Sequence, residues 1–331
     1  MVLFCIEMII VTGAAGFIGS CLVKKLNESG LGPIIAVDDF SNPEKNLNLA
    51  NKTVFKQVER FEFIANPGAF GKPEFIFHIG ARTDTTEFDT VLLQKLNTNY
   101  TIQLWKYAAA NDIPFIYASS AATYGLGDYS FEDDQSLLHT LKPLNPYGQS
   151  KHDFDLWAVE QTQTPPFWAG LKFFNVFGPN EYHKGRMASV VMHGTAQIRE
   201  HNSIKLFRSH RPDYKDGEQV RDFIYVKDVL DVLMYLYHNR PKSAIYNLGT
   251  GQARSWNDLA KAIFAALNKP VDIQYIDIPA DIRDKYQYFT EANMQKLIKT
   301  GYNKAFTSLE DAVADYIHNY LLTRSFYWNG Y

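Results

Sequence analysis

The amino-acid sequence predicts an α/β protein built on a doubly wound parallel β-sheet. Three observations predict it: apolar runs alternate with amphipathic stretches, a glycine-rich turn follows the first run, and turn residues separate the segments. Strands of a parallel sheet are buried on both faces, and the helices that cross over between them cover those faces. We therefore expect right-handed βαβ units over the first half of the chain.

Each predicted element follows from its local pattern. A strand over residues 9–12 precedes a helix whose apolar positions Ile18, Leu22, Val23 and Leu26 recur at helical spacing until Gly30. Further strands are predicted in "PIIAVDD", "EFIFHIGA", "PFIYASS" and "AGLKFFNVFG", with a helix in "NTNYTIQLWKYAAAND". After an irregular region over residues 178–221, we expect a strand and helix in "RDFIYVKDVLDVLMYLYHN", strands in "AIYNLGTG" and "DIQYIDIP", and helices in "WNDLAKAIFAAL" and "LEDAVADYIHNYLL".

The composition argues against several classes of function. The 331 residues carry a net charge of −3, which offers no electrostatic footprint for nucleic acid. No apolar run approaches the ~20 residues that a membrane span requires, and the apolar residues 1–7 are too few for a secretion signal. Cys5 and Cys21 lack metal-ligand spacing, so we expect a cytoplasmic protein that needs neither a metal nor a disulfide.

Three glycines, Gly13, Gly16 and Gly19, follow the first strand at the start of the first helix. The first two permit a tight turn and a close approach of the backbone to a ligand, and the third lets helix and strand pack closely. The backbone amides at the helix start then face an anionic group such as a pyrophosphate. This strand–turn–helix context predicts a Rossmann-type dinucleotide-binding fold.

The second predicted strand ends in two acidic residues, Asp38 and Asp39. A carboxylate in this place normally accepts a hydrogen bond from the ribose 2′-hydroxyl of NAD. Lys45 and Arg60 follow downstream and would instead neutralise the 2′-phosphate of NADP. The pattern itself favours NAD and leaves NADP open.

A second motif places Tyr147 four residues before Lys151 in "NPYGQSK". Positions i and i+4 share one face of a helix, so we expect the ammonium to lower the pKa of the phenol towards a value useful for proton transfer. The serine cluster that ends "PFIYASS" places Ser120 near a substrate hydroxyl. A Ser–Tyr–Lys group after a dinucleotide turn suits reversible oxidation of an alcohol to a ketone.

The segment "EYHKGRMAS" places His183, Lys184 and Arg186 around a glycine, just after a turn signal at residues 178–179. Basic residues on loops are most often solvated. The residues alone leave three interpretations open: a solvated loop, a phosphate-binding loop and a part of the catalytic apparatus.

The motifs "TGAAGFIG", "SSAATYG", "YGQSK", "RDFIYVKDV" and "YNLGTG" occur in an order that resembles the extended short-chain dehydrogenase/reductase superfamily over nearly the whole chain. "FHIGARTD", "KPLNPYGQSK", "KYQYFT" and above all "HKGRMASV" narrow the resemblance to the ADP-L-glycero-D-manno-heptose 6-epimerases of lipopolysaccharide core synthesis. That resemblance implies a homo-oligomer, pentameric in known members, which binds an ADP-heptose and holds NADP tightly without consuming it. NAD stays possible because Asp39 and Arg60 stand where the family often has Asn and Lys.

The resemblance also implies a division of the chain and its site residues. We expect a dinucleotide-binding domain over residues 1–178, completed by about 222–250, and a smaller α/β substrate-binding domain over 179–221 and 251–331. The implied dinucleotide contacts are Gly13, Gly16, Phe17, Ile18, Gly19, Asp38, Asp39, Lys45, Arg60, Ile79, Gly80, Ala81, Arg82, Thr83, Asn97, Tyr147, Lys151, Val176 and Lys184. The implied ADP-sugar contacts are Ser120, Asn175, Lys184, Arg186, His193, Phe207, Arg208, Ser209, His210, Arg221 and Tyr286.

The reaction that the resemblance implies requires two acid/base groups. Carbon 6 of the heptose carries no acidic C–H, so its inversion needs oxidation to a ketone and re-reduction from the opposite face. The nicotinamide supplies the hydride chemistry, and positioned side chains must remove and return the hydroxyl proton. We assign Tyr147 and Lys184 to these two roles, with Lys151 tuning Tyr147 and Ser120 holding the oxygen.

Two other functions share part of these motifs. Another nucleotide-sugar enzyme of the superfamily, such as a UDP-hexose 4-epimerase, would share the general motifs, whereas a dehydratase would need an acidic pair that "SSAATYG" lacks. A non-catalytic dinucleotide sensor would share the fold, because fold does not dictate function. Such proteins usually lose the Tyr or Lys of the Tyr-x-x-x-Lys motif, and both are present here.

Overall fold

The computed structural model describes residues 8–283, 286–323 and 325. The strands are β1 Ile9–Thr12, β2 Ile34–Asp38, β3 Lys56–Glu59, β4 Phe75–His78, β5 Phe115–Ser120, β6 Trp168–Phe173, β7 Asn175–Phe177, β8 Ile204–Phe207, β9 Val220–Tyr225, β10 Ala244–Leu248, β11 Ala253–Ser255 and β12 Ile273–Ile276. A central seven-stranded sheet has the order β10-β6-β5-β4-β1-β2-β3 with parallel pairing throughout. The predicted parallel α/β sheet is confirmed.

Helices cover this sheet and build the rest of the molecule. They are α1 Phe17–Glu28, α2 Pro43–Asn46, α3 Arg60–Ala65, α4 Thr90–Leu93, α5 Tyr100–Ala110, α6 Pro146–Val159, α7 Val190–His201, α8 Val226–Asn239, α9 Trp256–Ala266, α10 Ala280–Arg283, α11 Gln295–Lys299 and α12 Leu309–Tyr316. Side-chain caps fix several of their starts. The Asn145 side chain accepts a hydrogen bond from the amide of Gly148 at the start of α6, and Ser255 forms a capping box with Asp258 at the start of α9.

Shorter helical turns carry parts of the site. The 3₁₀ turns include Ala121–Tyr124, which follows β5, and Tyr182–Met187, which precedes α7. A π-helical stretch, Gln94–Asn99, connects α4 to α5. The helix predicted in "NTNYTIQLWKYAAAND" therefore begins earlier than expected, at Thr90, and changes its winding on the way.

The segment "AGLKFFNVFG", predicted as one strand, forms two. β6 lies in the central sheet beside β5 and β10, whereas β7 pairs with β9 in a separate three-stranded sheet, β11-β9-β7. The chain turns between them at Phe174, whose amide donates to the carbonyl of Leu248 at the end of β10. Most residues of both strands are apolar and no Gly or Pro separates them, so the pattern alone did not reveal the break.

Several elements were missed by the sequence analysis. β3 lies at the edge of the central sheet and exposes Lys56 and Gln57, so it lacks the continuous apolar run of a buried parallel strand. The region over 178–221, expected to be irregular, contains α7 and β8, and β8 pairs with β12 in a two-stranded sheet. Glycines, prolines and charged residues around these elements interrupt the apolar periodicity by which a strand or helix is recognised in a sequence.

The described residues also address two expectations from the sequence, one about membrane-spanning segments and one about the cysteines. No helix among them is both long and apolar enough to cross a membrane. Cys21 is a buried free thiol that donates to the carbonyl of Pro179. Cys5 lies outside the described residues, as do the rest of residues 1–7 and the C-terminal residues 326–331.

Candidate active site

A cavity of about 450 Å³ lies at the carboxyl ends of β1, β2 and β4. Ligands of open α/β sheets bind at this edge. The residues predicted for the dinucleotide line this cavity, with four exceptions: Asn97, Tyr147, Lys151 and Val176. The lining also includes residues that the sequence analysis did not assign to the site, among them Asn42, His78, Asp84, Tyr100, His183 and Met187.

The glycine turn at the cavity leaves no room for side chains. Gly13 has a φ of +67°, and a Cβ there would lie 2.6 Å from the Cα of Gly80. A Cβ on Gly19 would collide with the carbonyl oxygen of Gly13. Glycine is therefore required by backbone conformation at the first position and by close packing of α1 on the turn at the third.

The carboxylate that ends β2, Asp38, and that of the next residue, Asp39, are paired with the downstream cations. Asp38 accepts hydrogen bonds from the amide of Ala15 at 2.8 Å and from the Nζ of Lys45 at 2.9 Å, so it braces the glycine turn. Asp39 accepts from Arg60 at 3.1 Å. Hydrogen bonds from Ser41 lower the pKa of Asp39, and the positive charge of Arg60 lowers it further. Partial burial acts in the opposite direction. A 2′-phosphate would compete with Asp39 for the Arg60 guanidinium.

Ser120, Tyr147 and Lys151 form a second group beside the cavity. Ser120 ends β5, and its side chain is hydrogen-bonded to the Tyr147 phenol on α6. Lys151, one turn further along α6, donates from Nζ to the carbonyl of Ala118 at 2.7 Å. Because β4 and β5 are parallel neighbours, Ser120 lies at the same sheet edge as the cavity residues that follow β4.

The predicted lowering of the Tyr147 pKa is wrong for this structure. Burial raises the pKa of Tyr147, and the hydrogen bond with Ser120 offsets only part of that rise. The Lys151 ammonium donates to a backbone carbonyl rather than acting on the phenol. Burial also lowers the pKa of Lys151 to about 8, against a raising influence from Asp155.

Asn97 joins the cavity to this second group. Its Oδ1 accepts from the amide of Arg82 at 2.8 Å, and its Nδ2 donates to the Arg82 carbonyl at 3.0 Å and to Ser150 Oγ at 2.9 Å. Arg82 belongs to the cavity lining, and Ser150 lies on α6 next to Lys151. Asn97 therefore lies behind the cavity wall, in the π-helical stretch, a feature frequent at functional sites.

Lys184 reaches the cavity from the 3₁₀ turn Tyr182–Met187. Its Nζ lies 5.6 Å from the centroid of the Phe17 ring at the start of α1. Burial lowers the pKa of Lys184, and the nearby Glu181 carboxylate opposes that effect. A lysine that loses its proton readily suits acid/base chemistry.

The backbone just before Lys184 is held by side-chain hydrogen bonds to residues in and next to the glycine turn. The fully buried Asn180 donates from Nδ2 to Ser20 Oγ on α1 at 2.8 Å. Asn48 donates from its side chain to the carbonyls of Asn180 and Ala15, each at 3.0 Å. A freely solvated loop, one of the three interpretations left open by the sequence, is therefore wrong for this segment.

His183 is a cavity residue to which the sequence analysis assigned no function. Its Nδ1 lies 3.2 Å from Nδ2 of Asn48, and burial together with Lys184 lowers its pKa to about 4. The imidazole is therefore neutral at physiological pH. The sequence offered no signal that separates His183 from its neighbour Lys184.

The residues predicted for the ADP-sugar divide into two sets. Asn175 lines a smaller cavity of about 190 Å³ together with Trp256 and with Val176, which was predicted for the dinucleotide instead, and Met187 lines both cavities. The Arg221 guanidinium lies 5.7 Å from the Trp256 ring and 5.2 Å from the Tyr286 ring. Phe207 makes an edge contact with Tyr286 at 6.0 Å, so these side chains form one aromatic cluster with Arg221 buried in it.

The other predicted ADP-sugar residues make separate contacts, although the His210 amide donates at 3.0 Å to the hydroxyl of Tyr288, whose ring packs against Tyr286 of the cluster. The Arg186 side chain is 67% exposed and pairs with Asp84 at 3.7 Å, and His193 contacts the Gly185 carbonyl at 3.1 Å. Arg208 pairs with Asp277 at 3.3 Å. Ser209 accepts from the Arg211 amide at 3.0 Å, and His210 accepts from the Ile278 amide at 3.2 Å.

Residues 9–249, most of the chain, match the model of the NAD dependent epimerase/dehydratase family. The chain belongs to this family. A curated relative of this epimerase, the ADP-L-glycero-D-manno-heptose-6-epimerase of Fusobacterium nucleatum, is 46% identical over 97% of the chain and 100% of the relative. The family resemblance found in the sequence motifs is thereby confirmed.

Solved structures agree with the fold of the epimerase. A Helicobacter pylori ADP-L-glycero-D-manno-heptose-6-epimerase superposes with a TM-score of 0.78 at 26% identity, covering 95% of this chain and 96% of that one. A Thermus thermophilus UDP-glucose 4-epimerase in complex with NAD gives 0.75 at 22% identity, covering 94% and 97%. The second likeness concerns the fold alone. The family description supports a nicotinamide cofactor for the cavity.

Proposed function

We propose that this epimerase interconverts the C6 epimers of ADP-glycero-manno-heptose, in the D-glycero to L-glycero direction, by transient oxidation to a 6-ketone. The observation that carries the proposal is the 46% identity to a heptose 6-epimerase over 97% of the chain. The geometry agrees with it: the glycine turn and Lys184 line one cavity, and the Ser–Tyr–Lys group lies beside it.

The protein's part in the reaction is proton transfer and positioning. A nicotinamide bound in the cavity supplies the hydride acceptor and donor. Ser120 holds the C6 oxygen, and Tyr147 serves as acid/base group for one epimer. Lys184 serves the other epimer, because its burial favours release of the proton that it must later take back. Lys151, hydrogen-bonded to the Ala118 carbonyl one helical turn from Tyr147, contributes its ammonium to dinucleotide binding rather than to the Tyr147 pKa.

The test of this function is a substrate comparison. The purified protein is incubated with ADP-D-glycero-D-manno-heptose and separately with UDP-galactose, and the products are identified by NMR. We expect a new C6 epimer from the heptose and no change in the hexose. Conversion of UDP-galactose alone would identify a 4-epimerase instead, and no conversion of either would leave a dinucleotide sensor as the better description.

We propose NADP as the resident cofactor, with NAD as the weaker alternative. Both Lys45 and Arg60 line the cavity at the end of β2, where a 2′-phosphate would lie. The cofactor released on denaturation, analysed for its phosphate content, identifies it directly.

Arg60→Ala is expected to weaken NADPH binding about tenfold and to leave NADH binding nearly unchanged, because a charge-assisted hydrogen bond to phosphate is worth about 1.5–3 kcal/mol and Asp39 takes part of it. Binding is measured by cofactor fluorescence in protein stripped of its dinucleotide. Lys56→Ala, an exposed lysine of β3 near Arg60 in sequence, is the control and should change neither. Equal losses for both cofactors would show that Arg60 does not read the phosphate.

We also propose the domain division stated from the sequence: residues 1–178 with 222–250 for the dinucleotide, and 179–221 with 251–331 for the ADP-sugar. Lys184 then belongs to the second part in sequence while it lines the cavity of the first. A homo-oligomer in the cytoplasm completes the proposal, and light scattering of the purified protein measures its mass.

A further inference from the structure

A buried ion pair lies directly behind the Ser–Tyr–Lys group. Asp155 stands one helical turn after Lys151 on α6 and has no exposed surface. Its Oδ2 accepts from the Nζ of Lys172 on β6 at 2.8 Å and from Ser119 Oγ at 2.7 Å, and its Oδ1 accepts from the Tyr117 phenol at 3.0 Å. The carboxylate therefore connects α6 to two strands of the central sheet.

Lys172 extends this network to Ser120. Its Nζ donates to Thr123 Oγ1 at 2.5 Å and lies 4.9 Å from the centroid of the Tyr124 ring. Thr123 in turn donates from Oγ1 to the Ser120 carbonyl at 2.8 Å. The ion pair is thus linked through Thr123 to the backbone of Ser120, and its Asp155 shares α6 with the other two members of the Ser–Tyr–Lys group.

Removing two charges from water costs several kcal/mol per ion before their attraction is counted. An apolar pair of similar volume would often fold as well or better. Folding stability alone therefore does not require the two charges of Asp155 and Lys172 at this place. The charges lie directly behind the Ser–Tyr–Lys group, whose proposed role is proton transfer.

Of the titratable groups that face Lys151 from α6, β4 and β5, Asp155 is the one that we expect to carry a charge at neutral pH. His78 on β4 is uncharged at neutral pH, because burial, with Lys151 nearby, lowers its pKa to about 3. Burial raises the pKa of Tyr147 on α6, and burial together with Asp155 raises that of Tyr117 on β5, so both phenols are neutral. The Asp155 carboxylate is the charge that opposes the effect of burial on Lys151.

We propose that Asp155 and Lys172 are positioning residues of the active site: the Asp155 carboxylate keeps Lys151 protonated in its buried position, and Lys172 holds Asp155 and, through Thr123, the backbone of Ser120. Neither residue is placed in contact with substrate or cofactor, so both act through other groups. The role of Lys151 in catalysis rests on the proposed function, whereas the charge state of Lys151 does not.

Asp155→Asn removes the charge and keeps an acceptor for Tyr117 and Ser119. Without that charge Lys151 loses its proton at lower pH, so the alkaline limb of the kcat profile is expected to move down by about one pH unit. At about pH 8.5 kcat then falls roughly tenfold against the unmodified enzyme, with little change near about pH 6.5 and an unchanged KM. Asp153→Asn, on the same helix with an exposed contact to Gln149, is the matched control and should leave the profile in place.

A titration of Lys151 itself separates this inference from the proposed function. The protein is labelled with 13Cε-lysine, its Lys151 signal is assigned by its loss in Lys151→Arg, and the midpoint is followed by NMR. We expect a midpoint near about 8 that falls by about one unit in Asp155→Asn. An unmoved midpoint overturns the inference, whether or not the protein epimerises ADP-heptose.

Two further variants separate the charge effect from misfolding. Asp155→Asn combined with Lys172→Met leaves no unpaired buried charge, so it should recover the folding stability that Asp155→Asn alone loses. Lys172→Arg keeps the ion pair and should retain the midpoint and the pH profile of the unmodified protein. If Lys172→Arg instead lowers the Lys151 midpoint as far as Asp155→Asn does, the midpoint follows the packing of the ion pair rather than the Asp155 charge, and the electrostatic role is wrong.

Discussion

Tyr147→Phe and Lys184→Met are each expected to lower kcat for heptose epimerisation by about 10²–10⁴-fold, because each removes one of two proton-transfer groups. The two losses should differ in kind. Tyr147→Phe should block the exchange of one C6 epimer with the ketone, and Lys184→Met that of the other. One acid/base group serving both faces would instead make one of the variants harmless.

The measurement is a pair of half-reactions on an ADP-sugar analogue oxidised at C6. Each variant is loaded with reduced cofactor, and the configuration of the alcohol that it forms is identified by NMR. We expect Tyr147→Phe and Lys184→Met to form alcohols of opposite configuration at C6. Lys205→Met, an exposed lysine of β8, is the control and should form both.

Two results would contradict the assignment of Lys184. Epimerisation by Lys184→Met at the unmodified rate would remove the second acid/base group. A raised KM with unchanged kcat would show that Lys184 binds substrate and transition state equally well and takes no part in the chemistry. A position inside the cavity, with a pKa lowered by burial, is compatible with both roles, so kinetics must separate them.

The sequence predicted those parts of the fold and site that depend on local pattern. The central strands are continuous apolar runs because both faces are covered, and Gly13 and Gly19 are glycines because of backbone conformation and packing. Tyr147 and Lys151 lie on one helix as their spacing required. In each case the recognisable pattern spans only a few neighbouring residues, although its cause includes packing against other elements.

The parts that the sequence did not predict depend on contacts between distant segments. Phe174 breaks "AGLKFFNVFG" because its amide bonds to Leu248, 74 residues later. The Tyr147 pKa rises because the fold buries the phenol, whereas the spacing to Lys151 suggested the opposite. His183 lies in the cavity because hydrogen bonds from Asn48 to Asn180 and to His183 hold its loop next to the glycine turn. No local periodicity encodes such contacts.

Lys172→Met is expected to lower the free energy of unfolding by about 3–5 kcal/mol, the cost of leaving a buried charge without its partner. The side chains of Lys172 and Asp155 are 1% and 0% exposed, so water does not replace the lost ammonium. Ser119 and Tyr117 continue to donate to the carboxylate, but they carry no compensating charge. Urea denaturation followed by circular dichroism measures the loss.

The same experiment contains its own internal comparison. Lys24→Met breaks a more exposed pair, Lys24 with Glu28 at 3.7 Å, and should cost less than about 1 kcal/mol. Adding Asp155→Asn to Lys172→Met should restore most of the stability, because two neutral side chains then occupy the place of two charges. If Lys172→Met lowers the free energy of unfolding as little as Lys24→Met does, burial does not strengthen this ion pair. The case for Asp155 as a buried charge acting on Lys151 would then fail on thermodynamic grounds, before any kinetic measurement.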